Sequence, residues 1–393
     1  MRRAPALSFL LVTVFIDMLG LGLVVPILPT LMNGLTGDAG EAARWSGVIA
    51  SGYGLLQFLT APLLGRLSDR YGRRPVLLTS LAFLGVDWLG HALTSAVWPL
   101  MVVHALAGLF AGTNTVVNAY LADVTPPERR AHAYGLVGAA FGLGFVAGPT
   151  IGGLLGAVDV RLPFWVAAAL CVANVTYGFF VLPESRPGDR VTALSLRAAN
   201  PIGSLAAVLR RPVLGRLAAA RFCSDIARNT HQAVWTFFVT YQFAWGTTRM
   251  GLTMAAGALA GAVVQARATG PAVRWLGDKR AAVLGGAVVA FSFVGIALAT
   301  DAWVIYLMQA AGVLGGIGGS AAQSWISGRA GDDEQGTVNG ALTSGGAIAE
   351  AAVPTLAGTA FAWSLAYAYP GMVFLGAAAF ATAATILMAS TSG

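Results

Sequence analysis

The chain has 393 residues, of which 56% are hydrophobic and only 10% are charged, and its formal net charge is +7. Soluble domains carry about 25% charged residues, so this composition excludes an ordinary soluble protein. The basic residues lie at the ends of apolar runs and form no continuous patch with interleaved aromatic residues, which argues against nucleic-acid binding. The two cysteines, Cys171 and Cys223, lie inside apolar runs and indicate neither a disulfide framework nor a metal site.

The apolar runs of about 20 residues or more are long enough to cross a hydrocarbon core of about 30 Å. The first run, from Leu7 to Leu31, follows Met1-Arg2-Arg3 and could be read as a signal peptide. It is too long for a signal core and lacks a small-residue cleavage site, so a spanning helix is the better interpretation. The pattern predicts an all-α integral membrane protein with twelve transmembrane helices in two six-helix halves. The predicted spans are 7–31, 46–65, 75–94, 98–122, 132–156, 161–182, 213–240, 249–275, 280–299, 303–327, 335–361 and 366–389.

The longest polar segment, 184–212, separates a first half, 1–183, from a second half, 213–393, and is predicted to be a linker. Within it, Ile202–Leu209 is predicted to form a short interfacial amphipathic helix. Of the 24 Lys and Arg residues, 17 fall on one side of the predicted layout, 3 on the other and 4 in or near spans. The positive-inside rule therefore places both termini and the linker in the cytoplasm. The excess of arginine over lysine, together with the many alanines and glycines, suggests a bacterial source. A multi-pass helical protein from such a source is expected in the bacterial inner membrane.

The loop between spans two and three, "GRLSDRYGRRP" at 65–75, concentrates four arginines and an aspartate between glycines. A solvated loop that only sets topology is one interpretation. Asp69 could also pair with a neighbouring arginine or cap a helix. The stretch resembles the signature loop of the major facilitator superfamily, and the resemblance implies a cytoplasmic latch that holds the two halves together in one state. The matching residues are Gly65, Leu67, Asp69, Arg70, Gly72, Arg73 and Arg74.

Three further stretches carry the same resemblance. "LGLGLVVPILP" (19–29) is similar to the first-span motif of twelve-span drug exporters, and "GPAVRWLGDKR" (270–280) looks like a degraded copy of the loop at 65–75. The fifth-span stretch "GLGFVAGPTIGG" (142–153) resembles the antiporter motif, in which small residues allow close helix packing and proline bends the helix. Its matching residues are Gly144, Gly148, Pro149, Gly152 and Gly153. Together they imply the major facilitator fold and a drug:proton antiporter, closest to the tetracycline-resistance exporters.

A charge within hydrocarbon costs at least about 2.5–3.5 kcal/mol, so each needs a partner, a cavity or a function. Asp17 and Asp87 lie in spans one and three, where the resemblance implies proton coupling or substrate contact; packed neutral acids are the alternative. His104 replaces the family's fourth-span arginine and either carries a proton or hydrogen-bonds the backbone. The family's ninth-span aspartate falls on Val289 and its eighth-span histidine on Gly261. Both family residues are linked to proton coupling in the tetracycline exporters, so their replacement argues against tetracycline as the substrate and against the family's detailed proton path.

The second half has its own charges. Asp225 lies at helical spacing from Arg221 and Arg228 in span seven, and Glu350 lies in span eleven. The cluster is either an internal salt-bridge network or a site for binding and protonation. The predicted proton-coupling residues are Asp17, Asp87, His104, Asp225 and Glu350. The polar and aromatic residues predicted to hold substrate near the midplane are Gln57, Asn114, Asn118, Arg228, Asn229, His231, Gln232, Trp235, Gln265, Gln309 and Gln323.

These observations predict a secondary active exporter of an amphipathic, antibiotic-like small molecule that works by proton antiport and alternating access. The alternatives are a tetracycline-specific exporter, a proton-coupled importer of a small organic solute, and a non-transporting receptor. The fifth-span motif argues against import. We expect no enzymatic activity, because no nucleotide-binding glycine-lysine loop occurs and the loops are short. Protons are the expected coupling ion, without other cofactor or metal. The expected partners are the small molecule and the bilayer, with no nucleic acid, and a monomer is expected.

Overall fold

The chain folds as helices connected by short turns, and the described residues contain no strand. The computed structural model describes residues 4–185, 208–329 and 335–391. Residues 202–207 of the predicted interfacial helix and most of the predicted linker fall outside the described residues. The helices are α1 Ala4–Val24, α2 Leu28–Thr36, α3 Ala39–Tyr71, α4 Arg73–Leu93, α5 Val97–Leu109, α6 Thr113–Val124, α7 Pro127–Val158, α8 Leu162–Val181, α9 Pro212–Phe243, α10 Thr247–Arg267, α11 Thr269–Leu276, α12 Asp278–Ala297, α13 Ala302–Gly315, α14 Ile317–Ser327, α15 Gln335–Ala366 and α16 Met372–Ser390.

Nine helical stretches of the described residues are long and apolar enough to cross a membrane. They are α1, α3, α4, α5 with α6, α7, α8, α12, α13 with α14, and α16. The three other predicted spans correspond to α9, α10 with α11, and α15. These helices are as long as the others, and α9 and α15 each have 32 residues. They are more polar: α9, for example, carries the charged side chains that the sequence places in span seven.

Several spans consist of two helices. The break between α1 and α2 includes Pro26, and the break between α5 and α6 includes Gly112. In the second half, α13 and α14 meet at Gly316. Proline removes a backbone donor, and glycine relaxes the helical preference, so both residues suit such breaks. Gly112 and Gly316 occupy corresponding positions in the two halves, which is consistent with an internal repeat.

The described residues form two compact units. The first comprises 4–37, 52–185 and 245–255, and the second comprises 38–51, 208–244, 256–329 and 335–391. In the first unit, α1 packs along α7 and α4 packs on α8. In the second unit, α9 packs on α15 and α16, and α12 packs on α13, α14 and α16. Each unit therefore has its own buried hydrophobic core.

The fifth-span glycines allow backbones to approach closely within the first unit. A Cβ on Gly144 would lie 2.6 Å from the carbonyl oxygen of Phe15, and one on Gly148 would lie 2.7 Å from Cα of Gly22. On another side of α7, a Cβ on Gly153 would lie 2.5 Å from the carbonyl oxygen of Thr247. Any larger side chain at these positions would push α7 away from α1 or from α10. The rest of the motif, Pro149 and Gly152, lies in the same helix.

The second unit repeats this arrangement with α15 and the first part of α3. Gly358 packs against Ala43, and Gly47 packs against Pro354. The backbone N–H of Thr355, which follows Pro354, donates to Oγ of Ser51 at 3.0 Å. The corresponding prolines and glycines of α7 and α15 thus make the same kind of contact in both units.

Candidate transport site

The loop at 65–75 is a single-residue break between two helices. Helix α3 ends at Tyr71, α4 begins at Arg73, and Gly72 between them has φ +99°. This conformation is strained for any residue with a Cβ. A Cβ on Gly72 would also collide with the carboxylate of Glu184. The backbone conformation therefore accounts for glycine here, and the Glu184 carboxylate would also have to shift to admit any Cβ.

Arg73 is the centre of the charge network at this loop. Its guanidinium contacts Asp69 (Nη2 to Oδ1, 2.7 Å) and Asp123 (Nε to Oδ2, 3.1 Å), and Nη1 donates to Oγ of Ser68 at 2.6 Å. Its backbone N–H donates to Oε1 of Glu184 at 2.8 Å. Arg73 is only 6% exposed, so these interactions hold a nearly buried cation. Sequence reasoning missed Asp123 and Glu184, because both are distant in the chain.

Gly65, Arg70 and Arg74 of this loop also make contacts within the first unit. The carbonyl of Gly65 accepts a hydrogen bond from Ser68 Oγ at 2.6 Å. The guanidinium of Arg70 lies 5.5 Å from the ring centroid of Tyr71. Arg74 donates to the carbonyl of Phe179 through Nη2 and to Glu184 Oε2 through its backbone N–H at 3.1 Å.

The corresponding break in the second unit lies between α11 and α12. Gly277 there has φ +76°, again in the region that favours glycine. Lys279 follows it and donates through Nζ to the carbonyl of Thr391 at 2.7 Å. The backbone turn is thus repeated in both units, whereas the network of three acids around one arginine is described only in the first.

Asp87 in α4 is completely buried and is held by two histidines. Nδ1 of His104, in α5, lies 2.9 Å from Oδ2 of Asp87. Nδ1 of His91 lies 3.0 Å from the carbonyl oxygen of Asp87 and 3.4 Å from Oδ1. Sequence reasoning found Asp87 and His104 but missed His91. The signal was present, because residues four apart share a helix face.

These three side chains are the one group of the described residues whose His, Cys, Asp and Glu ligand atoms lie close enough to consider a metal. The atoms are within 4.8 Å of one another. Both histidines already direct Nδ1 at Asp87, so hydrogen bonding accounts for the arrangement. The ring of Tyr53 packs on His104, with centroids 4.7 Å apart, and extends the cluster.

Asp17 lies in a different environment. It is half-buried in α1 and lines a small polar cavity of about 50 Å³ together with Tyr53, Gln57, Ser80 and Asn114. Among the described residues it makes neither a hydrogen bond nor an ion pair. Three predicted site residues, Asp17, Gln57 and Asn114, are thus brought together. Asn118, one turn beyond Asn114, is exposed and does not line this cavity.

Asp225 in α9 is the acid at the centre of the second unit. Its side chain is 3% exposed and is contacted by two arginines of the same helix. Nε of Arg221 lies 3.1 Å from Oδ2, and Nη2 of Arg228 lies 3.0 Å from Oδ1. Nη1 of Arg221 also donates to Oε1 of Gln323 at 3.5 Å. Both carboxylate oxygens are therefore engaged by permanently charged partners.

These charges line a cavity of about 350 Å³ within the second unit. Four spans contribute to it: α9, α12, α13 with α14, and α16. Its wall is rich in glycine, and the rest of the lining is largely apolar. His231 also lines the cavity, and its ring packs against Phe293, with centroids 5.6 Å apart. Val289, at the position of the family's ninth-span aspartate, lines the same cavity, whereas Gly261 does not.

The remaining predicted substrate residues are scattered in the second unit. Asn229 is buried and donates to the carbonyl of Asp225 at 2.8 Å, and Trp235 is buried beside His231. Gln265 donates to Ser320, and Gln309 lies beside Gly257. Gln232 is exposed. None of these five lines the large cavity.

Glu350 in α15 is exposed and does not line the cavity. Its helix nevertheless passes close to Asp225, since a Cβ on Gly346 would lie 3.5 Å from Oδ2 of that acid. Glu350 is one turn beyond Gly346 on the same face. It makes no ion pair with any described residue, including Arg228.

Acids and a cavity at the depth of spanning helices mark pathways for substrates and ions, so these features indicate a membrane transporter rather than an enzyme. The chain belongs to the Major Facilitator Superfamily, whose sequence profile matches residues 10–354. The predicted family and the predicted all-α fold are both confirmed.

Similar proteins include several that are named for drug resistance. "Tetracycline resistance protein, class C" of Escherichia coli is 39% identical over 342 residues, which cover 87% of this chain and 86% of that protein. "Multidrug resistance protein 1" of Bacillus subtilis (strain 168) is 28% identical over 280 residues, covering 70% and 69%. Among solved structures, the human organic anion transporter MFSD10 (TETRAN) has a TM-score of 0.69 at 23% identity, covering 99% of this chain and 100% of that one. At this identity, the similarity to the solved structure establishes the fold alone.

Proposed function

We propose that this transporter is a secondary active exporter of an amphipathic, drug-like small molecule, driven by proton antiport and alternating access. The names of the relatives, which include tetracycline and multidrug resistance proteins, support export of an antibiotic-like compound. Tetracycline itself is the second candidate, because the 39% identical relative is named for it. The family residues replaced by Val289 and Gly261 argue for a different substrate or a different proton route.

The observation that carries the antiport proposal is the environment of Asp17. An acid at the depth of a spanning helix costs at least about 2.5–3.5 kcal/mol when charged, unless a partner or water stabilises it. Asp17 has no ion-pair partner among the described residues and borders a polar cavity. Binding a proton would relieve this cost, and a polar cavity gives the proton a route. Asp17 is therefore the acid best suited to load and release the coupling proton.

Asp87 and its histidines are the natural companions of Asp17 in the first unit. Histidine changes charge near neutral pH, whereas arginine does not. The hydrogen bond from His104 to Asp87 joins two groups that can each hold a proton. We propose that this pair tunes the proton step and that Asp17 carries it.

The loop around Arg73 supports the proposed cytoplasmic latch, because it holds several charges in one fixed arrangement. We further propose a multi-pass protein of the bacterial inner membrane with both termini and the 184–212 linker in the cytoplasm. In this proposal the halves 1–183 and 213–393 move as the alternating-access units of a monomer.

The test is transport into inverted membrane vesicles under an imposed pH gradient, with a panel of amphipathic drugs. The wild type should concentrate at least one compound, and Asp17→Asn should not. Asp159→Asn, at an exposed loop position, is the matched control and should transport normally. Uptake by Asp17→Asn equal to the control would refute the proposed proton carrier. Accumulation of the compounds by intact cells, in place of resistance, would indicate import and refute export.

A further inference from the structure

The cavity of the second unit has more positive than negative charge. Arg221, Asp225 and Arg228 all line it, so two guanidinium groups share one carboxylate. With His231 neutral, the formal charge of the lining is +1. From this charge we propose that the cavity binds the anionic group of the exported molecule, so that the substrate class is amphipathic organic anions. The assignment rests on the proposed export function and names the substrate class.

The carboxylate of Asp225 already has hydrogen-bond partners on both of its oxygens. Asp225 is almost fully buried, and each of its oxygens accepts a charge-assisted hydrogen bond from an arginine. The arginines, in contrast, are partly exposed to the cavity: the side chain of Arg221 is 37% exposed and that of Arg228 is 54% exposed. Arg228 uses only Nη2 for Asp225, and its other donors have no partner among the described residues. Donors therefore remain for an incoming oxyanion.

A net positive charge at this depth is costly, and a bound anion would offset that cost. The helix that carries Glu350 passes close to Asp225, but Glu350 neither lines the cavity nor pairs with either arginine among the described residues. Arginine suits this role because its planar guanidinium can donate two parallel hydrogen bonds to a carboxylate, sulfonate or phosphate. The chemistry thus specifies a compact oxyanion.

The rest of the cavity lining indicates the kind of molecule to which that oxyanion belongs. Glycines at 286, 312 and 316 leave space, and Leu217, Val289 and Phe293 supply apolar surface. The volume of about 350 Å³ lies at the lower end of the range for small-molecule sites. It would hold the charged end and an adjoining ring of a drug-sized molecule. An amphipathic anion matches both the positive charge of the arginines and the apolar surface of the cavity.

Two fluorescent probes that differ mainly by one sulfonate test the assignment. 8-Anilinonaphthalene-1-sulfonate is anionic, and N-phenyl-1-naphthylamine is its neutral counterpart. The full-length protein is placed in nanodiscs of zwitterionic phosphatidylcholine, and each probe is titrated with empty nanodiscs as the blank. We expect the wild type to bind the anion at least tenfold more tightly than the neutral probe.

Variants separate the charge from the fold. Arg228→Gln should weaken anion binding at least tenfold and leave binding of the neutral probe unchanged, which also reports that the cavity is intact. Arg228→Lys keeps the charge but loses the paired hydrogen bonds, so its anion affinity should fall between those of the wild type and Arg228→Gln. Arg267→Gln, at an exposed arginine outside the cavity, is the control and should behave as wild type. Equal affinity for the two probes, or equal losses in Arg228→Gln and Arg267→Gln, would overturn the assignment.

An anionic lipid headgroup has the same chemistry as an anionic substrate, and phosphatidylglycerol nanodiscs distinguish them. Unchanged probe affinity in these nanodiscs supports a site for soluble anions. Displacement of the probe by phosphatidylglycerol, lost in Arg228→Gln, would overturn the assignment to substrate in favour of lipid. Binding in nanodiscs needs no pH gradient, so it can succeed where gradient-driven export fails. Failure of either proposal is thus distinguishable from failure of the other.

Discussion

The two units hold their central acids in different ways. Asp87 in the first unit faces two histidines, whereas Asp225 in the second faces two arginines. A histidine can lose its charge near neutral pH, but an arginine keeps it. The first cluster therefore joins an acid to side chains of a kind that can exchange a proton, and the second is a permanently charged group beside a cavity. The difference suggests a division of tasks, with proton coupling in the first unit and substrate binding in the second.

The loops show the same asymmetry. Gly72 and Gly277 both adopt positive φ between two helices, so the backbone turn is repeated. Among the described residues, only the first loop has an arginine surrounded by acids. Arg73 contacts Asp69, Asp123 and Glu184. The repeat has kept the turn in both units, while the charges that could respond to a conformational change are concentrated in one.

The largest effect is expected from Asp69→Asn. Neutralising Asp69 removes its ion pair with Arg73 and weakens the proposed latch, so transport should fall to near background while membrane insertion stays normal. Drug protection of sensitive cells and immunoblotting of membranes measure the two quantities. Asp278→Asn in the second loop is the matched control and should retain most activity. Normal export by Asp69→Asn at normal protein levels would exclude the latch.

Asp225→Asn should destabilise the protein more than Asp87→Asn. Loss of Asp225 leaves two arginines without their carboxylate, and loss of one member of a buried pair costs about 3–5 kcal/mol. Because Arg221 and Arg228 are partly exposed, we expect about 2 kcal/mol, and about 1 kcal/mol for Asp87→Asn, whose histidines can remain neutral.

Thermal unfolding in detergent measures both changes. Adding Arg228→Gln to Asp225→Asn should recover part of the lost stability, since it removes one uncompensated charge. Equal destabilisation by the two acid variants, without any recovery in the double variant, would show that the partners of the two acids do not differ in this respect.

A smaller effect is expected at His104. In His104→Gln the side chain can still hydrogen-bond Asp87 but cannot carry a positive charge, so transport should fall severalfold and depend less on pH. Arg228→Lys should change the rate without changing the shape of the pH profile. Vesicle uptake measured as a function of pH checks both. Identical profile shapes for wild type and His104→Gln would assign His104 to packing.

The smallest effect is expected from Glu350→Gln. Glu350 is exposed and lies outside the cavity, so its charge influences Arg228 only at a distance. Uptake should decline by less than about threefold, and anion binding should be retained or slightly strengthened. Complete loss of transport would place Glu350 among the essential residues and would move part of the proton chemistry into the second unit.

The fold was predictable because its signals are local. The length of each apolar run and the glycine-framed charges at 65–75 can be read without knowing which helices touch. The same is true of the Asp225 cluster, because its members are three and four residues apart on one helix.

The missed residues depend on contacts between distant segments. Glu184 reaches Arg73 across 111 residues, and nothing near Glu184 in the sequence points to that partner. The large cavity arises where glycines of separate helices face one another, which no single helix reveals. His91 is the exception, since its spacing from Asp87 was sufficient to find it.

The division of tasks is tested most directly by comparing two kinds of uptake in proteoliposomes, for Asp17→Asn and Arg228→Gln. Gradient-driven uptake requires proton coupling, whereas exchange of labelled for unlabelled substrate requires only binding and movement. We expect Asp17→Asn to lose gradient-driven uptake and keep exchange, and Arg228→Gln to weaken both in proportion. Retention of gradient-driven uptake by Asp17→Asn, with selective loss of it in Arg228→Gln, would show that proton coupling and substrate binding are not divided between the units in this way.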